Sequence, residues 1–383
     1  MLLYSNATAQ PLALERRFFA SFRSEETSMS LLSAAPHPCS AVGSKINVSL
    51  AGSEQLHSNR YSYAPCTHFS GLGRFYKGNL HCHSTDSDGS LSWRELADMY
   101  RRAGYSFLGF SEHEKFCVHS DDGGYGDFFL VPCVEWSASL VENGDLLKTH
   151  HVLGVAGIPS LREGTDVMAM RDGDIMPFMP FRGAESAEEM AAYLRERGLL
   201  AIYNHPRWSR ITPEDVGPLS GYAALEVYNH NCEMENHTGY GDGLWDYLLS
   251  CGVRVNAVAG DDNHNAHGMP DSFGGWIAVY ARECSFDSIM TAISVGAYYS
   301  SCGPEIFEFG IRGDEVFVEC SPVEAVRFVA GGVAGAGSVV RGCGLTNARM
   351  TLSGREQYLR IECVDKQGRT AWSNPIYSRE FSV

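Results

Sequence analysis

The chain has 383 residues, with 46 acidic against 30 basic residues and a formal charge of −16. That charge argues against a protein that coats nucleic acid or an anionic membrane, because phosphate surfaces repel it; a nucleotide or short oligonucleotide is admissible only as a substrate held through metal or local cations. No apolar run approaches the roughly 18–20 residues that span a bilayer, and "ERRFFASFRSEE" near the start is too charged for a leader peptide, so a soluble, cytoplasmic protein is expected. The 12 cysteines are scattered singly with no CxxC pair, which reads as reduced, mostly buried thiols and not as a disulfide framework or zinc ribbon.

Residues 1–68 are rich in Ser, Ala and Asn with weak periodicity, and are expected to be a poorly structured extension with candidate strands near Lys45 to Leu50. Met29 is an alternative start. From Gly78 a repeated grammar sets in. Ser92 to Glu95 reads as a capping box opening a helix, Gly104 stops it, and "SFLGF" follows as a strand. Ser186 to Glu189, Gly198 and "LLAIY" repeat that order, as do "GLWDYLLS", Gly252 and "VRVNAVAG". Alternating helix and strand predict a parallel sheet or barrel. Beyond Ser301 short alternating segments ("EVFVEC", "AVRFVA", "ARMTLS", "YLRIECVD") predict an antiparallel β domain. The expected division is therefore 1–68, a barrel over 69–303 and a small β domain over 304–383. The glycines of "AGGVAGAG" lack a strand-to-helix context and read as a loop, not a nucleotide cradle.

Chemistry gathers at the strand ends. In "GNLHCHSTDSDGS" the i, i+2 spacing aims His81 and His83 at one space while Cys82 points away. Asp88, beside Gly89, can fold back from a turn, whereas Asp86 reads as a turn residue. Later strand ends bring Glu112 and His113, Glu135, His150 and His151, His205, and then Asp261, Asp262 and His264, the last pair again at i, i+2. A buried, unpaired imidazole or carboxylate costs several kcal/mol, so so many at strand ends call for a partner. His and carboxylates without cysteine suit zinc, manganese or iron, and roughly nine ligands exceed what one ion can use, so two to three divalent ions are expected.

"GNLHCHSTDSDG", "GFSEHE", "VEWS", "HVLG", "NHPR" and "GDDNH", in this order, resemble the successive motifs of the polymerase and histidinol phosphatase (PHP) superfamily over about residues 76–303. "YKGNLHCHS" and "GRTAWSNPIY" look more like its branch that includes carbamate-ester metallohydrolases and uncharacterised phosphoesterases. The resemblance implies a distorted (β/α)7 barrel with a trinuclear metal centre: His81, His83 and Asp262 on one ion, Glu135 bridging to a second completed by His151 and His205, and Asp88, His113 and His264 on a third. His151 is preferred to His150 because it directly precedes "VLG". Two departures stand out. Ser111-Glu112-His113 replaces the family's Thr-Asp-His, and of Asp261-Asp262 only the second keeps the DxH spacing, so Asp261 is placed on the rim.

The implied activity is metal-dependent hydrolysis of a small phosphate ester by a hydroxide shared between ions. Arg207 is the candidate for gripping the anion. His267 is either a general acid or a loop residue. Glu226 and Asn229 read first as structural hydrogen-bonding residues, and otherwise as supports of the site or substrate contacts. One rival is a carboxylic ester, carbamate or amide hydrolase on the same centre. The other is a non-catalytic metal-binding scaffold whose β domain binds a glycan or protein. The oligomeric state is left open.

Overall fold

In a computed structural model the residues described are 69, 73–120, 126–157 and 170–377. The chain divides into two units, Met1–Ser62 and Tyr63–Val383, and all described residues lie in the second. The readings of residues 1–68, of Met29 and of strands near Lys45 fall outside them.

The first strand, β1 (Arg74–Asn79), pairs in parallel with β2 (Phe107–Phe110), and β2 with β3 (Phe129–Glu142). Helix α1 (Trp93–Arg102) links β1 to β2, and Ser92 caps it: its side chain accepts from the Glu95 amide while Glu95 returns to the Ser92 amide. Leu96, Ala97 and Tyr100 of α1 pack on Leu108 and Phe110, so the apolar stripe read at helical spacing is the buried face.

Strict helix–strand alternation fails next. β3 turns directly into β4 (Asp145–Ala156), an antiparallel hairpin whose corner is Asn143 (φ 53) and Gly144 (φ 89). Two consecutive positive φ values make a turn that matches the twist of the flanking strands, and Asn-Gly is the pair that tolerates it. β4 also runs antiparallel to β5 (Leu199–Tyr203), after which β6 (Ala224–Asn229) and β7 (Asn256–Gly260) restore parallel pairing. Helix α2 (Ala184–Glu196) precedes β5, and its N-cap is Gly183, not Ser186. Ser186 sits one turn inside and donates back to the Gly183 carbonyl. Short α3 (Pro213–Val216), α4 (His230–Asn236) and α5 (Asp242–Ser250) fill the later crossovers.

β8 (Trp276–Ala281) runs antiparallel to β1, and β9 (Tyr298–Ser301) follows α6 (Phe286–Ser294). The hydrogen-bonded ladder is an open path from β7 through β1 and β8 outward, and does not close on itself. Beyond the strand ends, however, His81 and Asp262 meet: a parallel bridge joins Cys82 to Asn263, with the Asp262 amide donating to the His81 carbonyl at 2.9 Å and the His83 amide to the Asn263 carbonyl at 3.1 Å.

The later strands are antiparallel: β10 (Ile306–Arg312), β11 (Glu315–Gly331), β12 (Gly337–Thr351), β13 (Tyr358–Val364), β14 (Thr370–Ser373) and β15 (Ile376–Tyr377). They continue the same sheet, since β14 pairs with β9. "EVFVEC" and "AVRFVA" form one strand, not two; the register shifts between Glu319 and Val323, where Pro322 cannot donate to a ladder. No helix among the described residues is long and apolar enough to cross a membrane.

Candidate metal centre

The nine proposed ligands lie on strands or on the segments that leave them, with Asp88 in the loop between β1 and α1. His81 and His83 follow β1, His113 follows β2, Glu135 is on β3, His151 on β4, His205 follows β5, and Asp262 and His264 follow β7. Three overlapping groups have ligand atoms within 4.8 Å of one another: His81, His83, Glu135 and Asp262; His113, Glu135 and His151; and His83, Asp88, His113 and His264.

Glu135 is the hub. His81 Nε2 and His205 Nε2 stand 3.2 Å from its Oε1 and His151 Nδ1 3.3 Å, while His113 Nδ1 and His83 Nε2 stand 3.3 and 3.4 Å from its Oε2. Asp262 Oδ1 lies 3.1 Å from His81 Nε2 and 3.0 Å from His83 Nε2. Asp88 Oδ1 lies 3.3 Å from His264 Nε2 and 3.6 Å from His113 Nε2. Of the adjacent pair, His151 faces Glu135, whereas His150 points away to the Tyr203 hydroxyl and the Gly183 carbonyl.

These contacts are close, yet His81 Nε2, both ring nitrogens of His83 and Glu135 Oε2 have no hydrogen-bond partner among the described residues. Buried polar atoms without partners are rare. Ligand atoms about 2.1 Å from a shared ion stand roughly 3.0–3.4 Å apart in octahedral or tetrahedral geometry, which is the spacing found around Glu135 and Asp262. The residues fit a metal cluster.

Supporting residues settle which nitrogen faces inward. His81 Nδ1 donates to Glu226 Oε1 at 2.9 Å, leaving Nε2 for the cluster. Glu226 also accepts from the His205 amide and from Asn229 Nδ2, and Asn229 Nδ2 reaches Asp262 Oδ2 at 3.0 Å. His264 Nδ1 donates to the Asp262 carbonyl at 2.8 Å, and His205 Nδ1 meets Ser209 Oγ at 3.1 Å. Such outer partners fix ring orientation and ligand basicity. Glu112 does comparable work for Asp88: its carboxylate accepts from the Ser84 amide and from the Ser84 and Ser87 hydroxyls, pinning the loop that carries Asp88. Gly89 is required in that loop, because a Cβ there would stand 2.3 Å from the His83 carbonyl oxygen.

Asp261 is not on the rim. It is fully buried, accepts from Tyr100 Oη at 2.6 Å and from the amides of Phe273, Gly274 and Gly275, and so anchors the backbone on which Asp262 sits. Asp262 itself has φ 54, a left-handed conformation that Asp tolerates better than most residues and that marks functional positions. Asn204 was missed in the sequence: its Nδ2 donates to Glu135 Oε1 at 2.6 Å, and its adjacency to His205 was the available signal. Trp208, also missed, sets its ring 5.3 Å from that of His205 and 5.8 Å from that of His151. Arg207 and His267 are both exposed, on the segment after β5 and in the turn after Asn265.

Electrostatics follow from this crowding. Burial works to raise Glu135 and Asp262, but the surrounding histidines, His81 foremost, hold both well below the usual carboxylate range. Burial likewise opposes a charge on His83, yet nearby Asp262 and Glu135 raise it to about 10. His113 goes the other way, down to about 3, through burial and the neighbouring His83. Without a metal, protons on some imidazoles are what balance the carboxylates; a divalent ion would replace them.

No protein-family model matches the chain, and no curated protein does. Among solved structures it is similar to a two-domain protein from Bacteroides vulgatus that contains a PHP-like metal-dependent phosphoesterase assigned by prediction (14% identity, 76% of this chain and 91% of that one, TM-score 0.39). It is also similar to a candidate metal-dependent phosphoesterase from Bifidobacterium adolescentis (16% identity, 51% and 90%, TM-score 0.34) and to an amidohydrolase from Chromobacterium violaceum solved with bound sulfate and no metal (16% identity, 49% and 87%, TM-score 0.32).

Proposed function

We propose that the protein is a metal-dependent hydrolase acting on a small phosphate ester, with two to three zinc, manganese or iron ions held in a trinuclear arrangement by His81, His83, Asp88, His113, Glu135, His151, His205, Asp262 and His264. The division into a barrel-like catalytic part over 69–303 and a β domain over 304–383 belongs to this reading. What carries it is one carboxylate, Glu135, surrounded by five imidazole nitrogens at 3.2–3.4 Å. The choice of a phosphate ester over a carboxyl ester rests on the motif resemblance.

When bound, such ions acidify a shared water and neutralise charge growing on the substrate oxygens. The chain's own residues do the rest. Glu226 and Ser209 hold His81 and His205 with one ring nitrogen directed inward. The two ends of the cluster differ in exposure: His81 and Glu135 are 1% exposed, whereas His113, His264 and Asp88 are 15, 19 and 23% exposed. Substrate therefore enters at the Asp88 end, and the Glu135 end stays dry, which strengthens every electrostatic contact there. Arg207 grips the anion, and His267 is available as the acid for the leaving group.

The test is metal content per chain, with hydrolysis of p-nitrophenyl phosphate, its bis-ester and p-nitrophenyl acetate, on the parent and on His83→Ala. Two to three ions in the parent, fewer in the variant, and a loss of phosphate-ester turnover of more than about a hundredfold are expected. Acetate turnover alone would move the substrate to the carboxyl esters. A parent that binds no metal and stays inactive with added manganese or zinc would end the enzyme reading.

A further inference from the structure

A second group of ligand-type side chains lies outside the cluster just described. The ligand atoms of Asp86, Cys117 and His119 are within 4.8 Å of one another. None of the three belongs to the proposed ligand set, and the hydrolase reading uses none of them. The His119 imidazole is only 9% exposed, and its Nε2, 3.6 Å from Asp86 Oδ2, has no hydrogen-bond partner among the described residues. At 3.6 Å the pair is too far apart for a hydrogen bond, so this buried nitrogen is directed at a carboxylate it does not bond.

The surroundings hold the three in place. The His119 ring stacks on Trp93, with centroids 4.7 Å apart and planes 15° apart, and meets the edge of Phe110 at 4.9 Å. The Cys117 amide donates to the Cys133 carbonyl at 3.2 Å, and the Val118 amide to Asp172 Oδ1 at 2.9 Å, so the segment carrying both ligands is tied at each step. Asp86 is the exposed member, and its amide donates to Ser84 Oγ at 3.1 Å.

We propose that Asp86, Cys117 and His119 form a separate binding site for one thiophilic divalent cation, of the zinc class, with a fourth position open to water. Ligand atoms about 2.0–2.3 Å from a tetrahedral zinc lie roughly 3.3–3.6 Å apart. The His119 to Asp86 distance already meets that spacing. Thiolate, imidazole and carboxylate together select a borderline-soft ion over magnesium or calcium. Burial pushes the Cys117 thiol up to about 12, so only a cation that displaces its proton into solvent holds it as thiolate. An ion here ties the loop that carries Asp88 to the segment that follows His113. The site is independent of the hydrolase reading.

Cobalt(II) titration of the full chain tests this, because the Glu135 cluster contains no cysteine. A near-ultraviolet thiolate-to-cobalt charge-transfer band that depends on Cys117 reports this site, and total bound cobalt beyond that one equivalent, measured by elemental analysis after gel filtration, reports the cluster. The expected result is a band whose amplitude at saturation corresponds to one thiolate-bound cobalt per chain in the parent and which is lost in Cys117→Ser. In Asp86→Asn, an exposed change that spares the core, it should need at least tenfold more cobalt. A thiolate band with no cobalt on the cluster would uphold this site while removing the hydrolase reading. A parent with no thiolate band at saturating cobalt, a band that survives Cys117→Ser, or an Asp86→Asn titration that matches the parent would overturn the proposal.

Discussion

Two groups of charge in this molecule, each built around a buried member, are held in opposite ways. In the C-terminal strands the Arg360 guanidinium, 3% exposed, donates to Asp246 Oδ1 through Nη2 at 2.9 Å and Nε at 3.2 Å, and through Nη1 to Glu362. Glu362 also accepts from Arg327 Nη1 at 2.9 Å, and the guanidinium lies 4.5 Å from the Trp245 ring centre. Donors face acceptors, and two cations answer two anions. Around Glu135 the arrangement is reversed. Acceptor atoms and ring nitrogens converge at similar distances, only some of them in hydrogen-bond geometry, and several are left without partners among the described residues. The first group is complete as it stands, while the second has the donor set of a site for an external cation. Charge thus serves attachment of β13 to α5 in one place and, on the proposed reading, reactivity in the other.

Disrupting the saturated group should have the largest effect on stability. Arg360→Met leaves the buried Glu362 with Arg327 alone and Asp246 without its guanidinium; loss of one partner of a buried pair costs about 3–5 kcal/mol, and with Arg327 retained the cost should fall at about the lower figure, read by denaturant unfolding with metal content unchanged. A drop in metal content would mean that the two groups are not independent. Chelation sharpens the contrast from the other side. Each ion held at a hundredfold over its dissociation constant contributes about 2.7 kcal/mol, so its removal should lower Tm by about 5–10 °C, in Arg360→Met as in the parent. Glu226→Gln should weaken metal binding by about 10–100-fold, read by competition with a fluorescent chelator, because His81 and the segment carrying His205 both lean on that carboxylate. The smallest change is Ser92→Ala, which removes an exposed helix cap that contacts no proposed ligand and should cost about 1 kcal/mol without altering metal affinity.

Much of the centre was legible because strand periodicity is local. The i, i+2 pairs His81/His83 and Asp262/His264 needed no knowledge of the fold to be placed on shared faces, and the Ser92 capping box is closed within four residues. What escaped the reading depended on distant partners. Asp261 seemed a rim residue because nothing in "GDDNH" reveals that the amides of Phe273 to Gly275 and the Tyr100 hydroxyl would enclose it. Glu112 looked like a departure from a motif until the Ser84 to Ser87 loop folded onto it. The turn of the β3–β4 hairpin was present in "VENGDL", but the search for helix–strand units passed over it. Ser186 had the spacing of a cap, and Gly183, at φ 59, took that place instead.

The bridge between Cys82 and Asn263 also bears on the order in which the molecule is built. His81 emerges from synthesis about 180 residues before Asp262, and contacts so far apart in sequence form slowly. Until that seam closes, a nascent chain carries His81, His83, Glu135 and their neighbours without the carboxylate that faces both histidines. On the proposed reading, tight metal capture is then a late event that reports a finished fold.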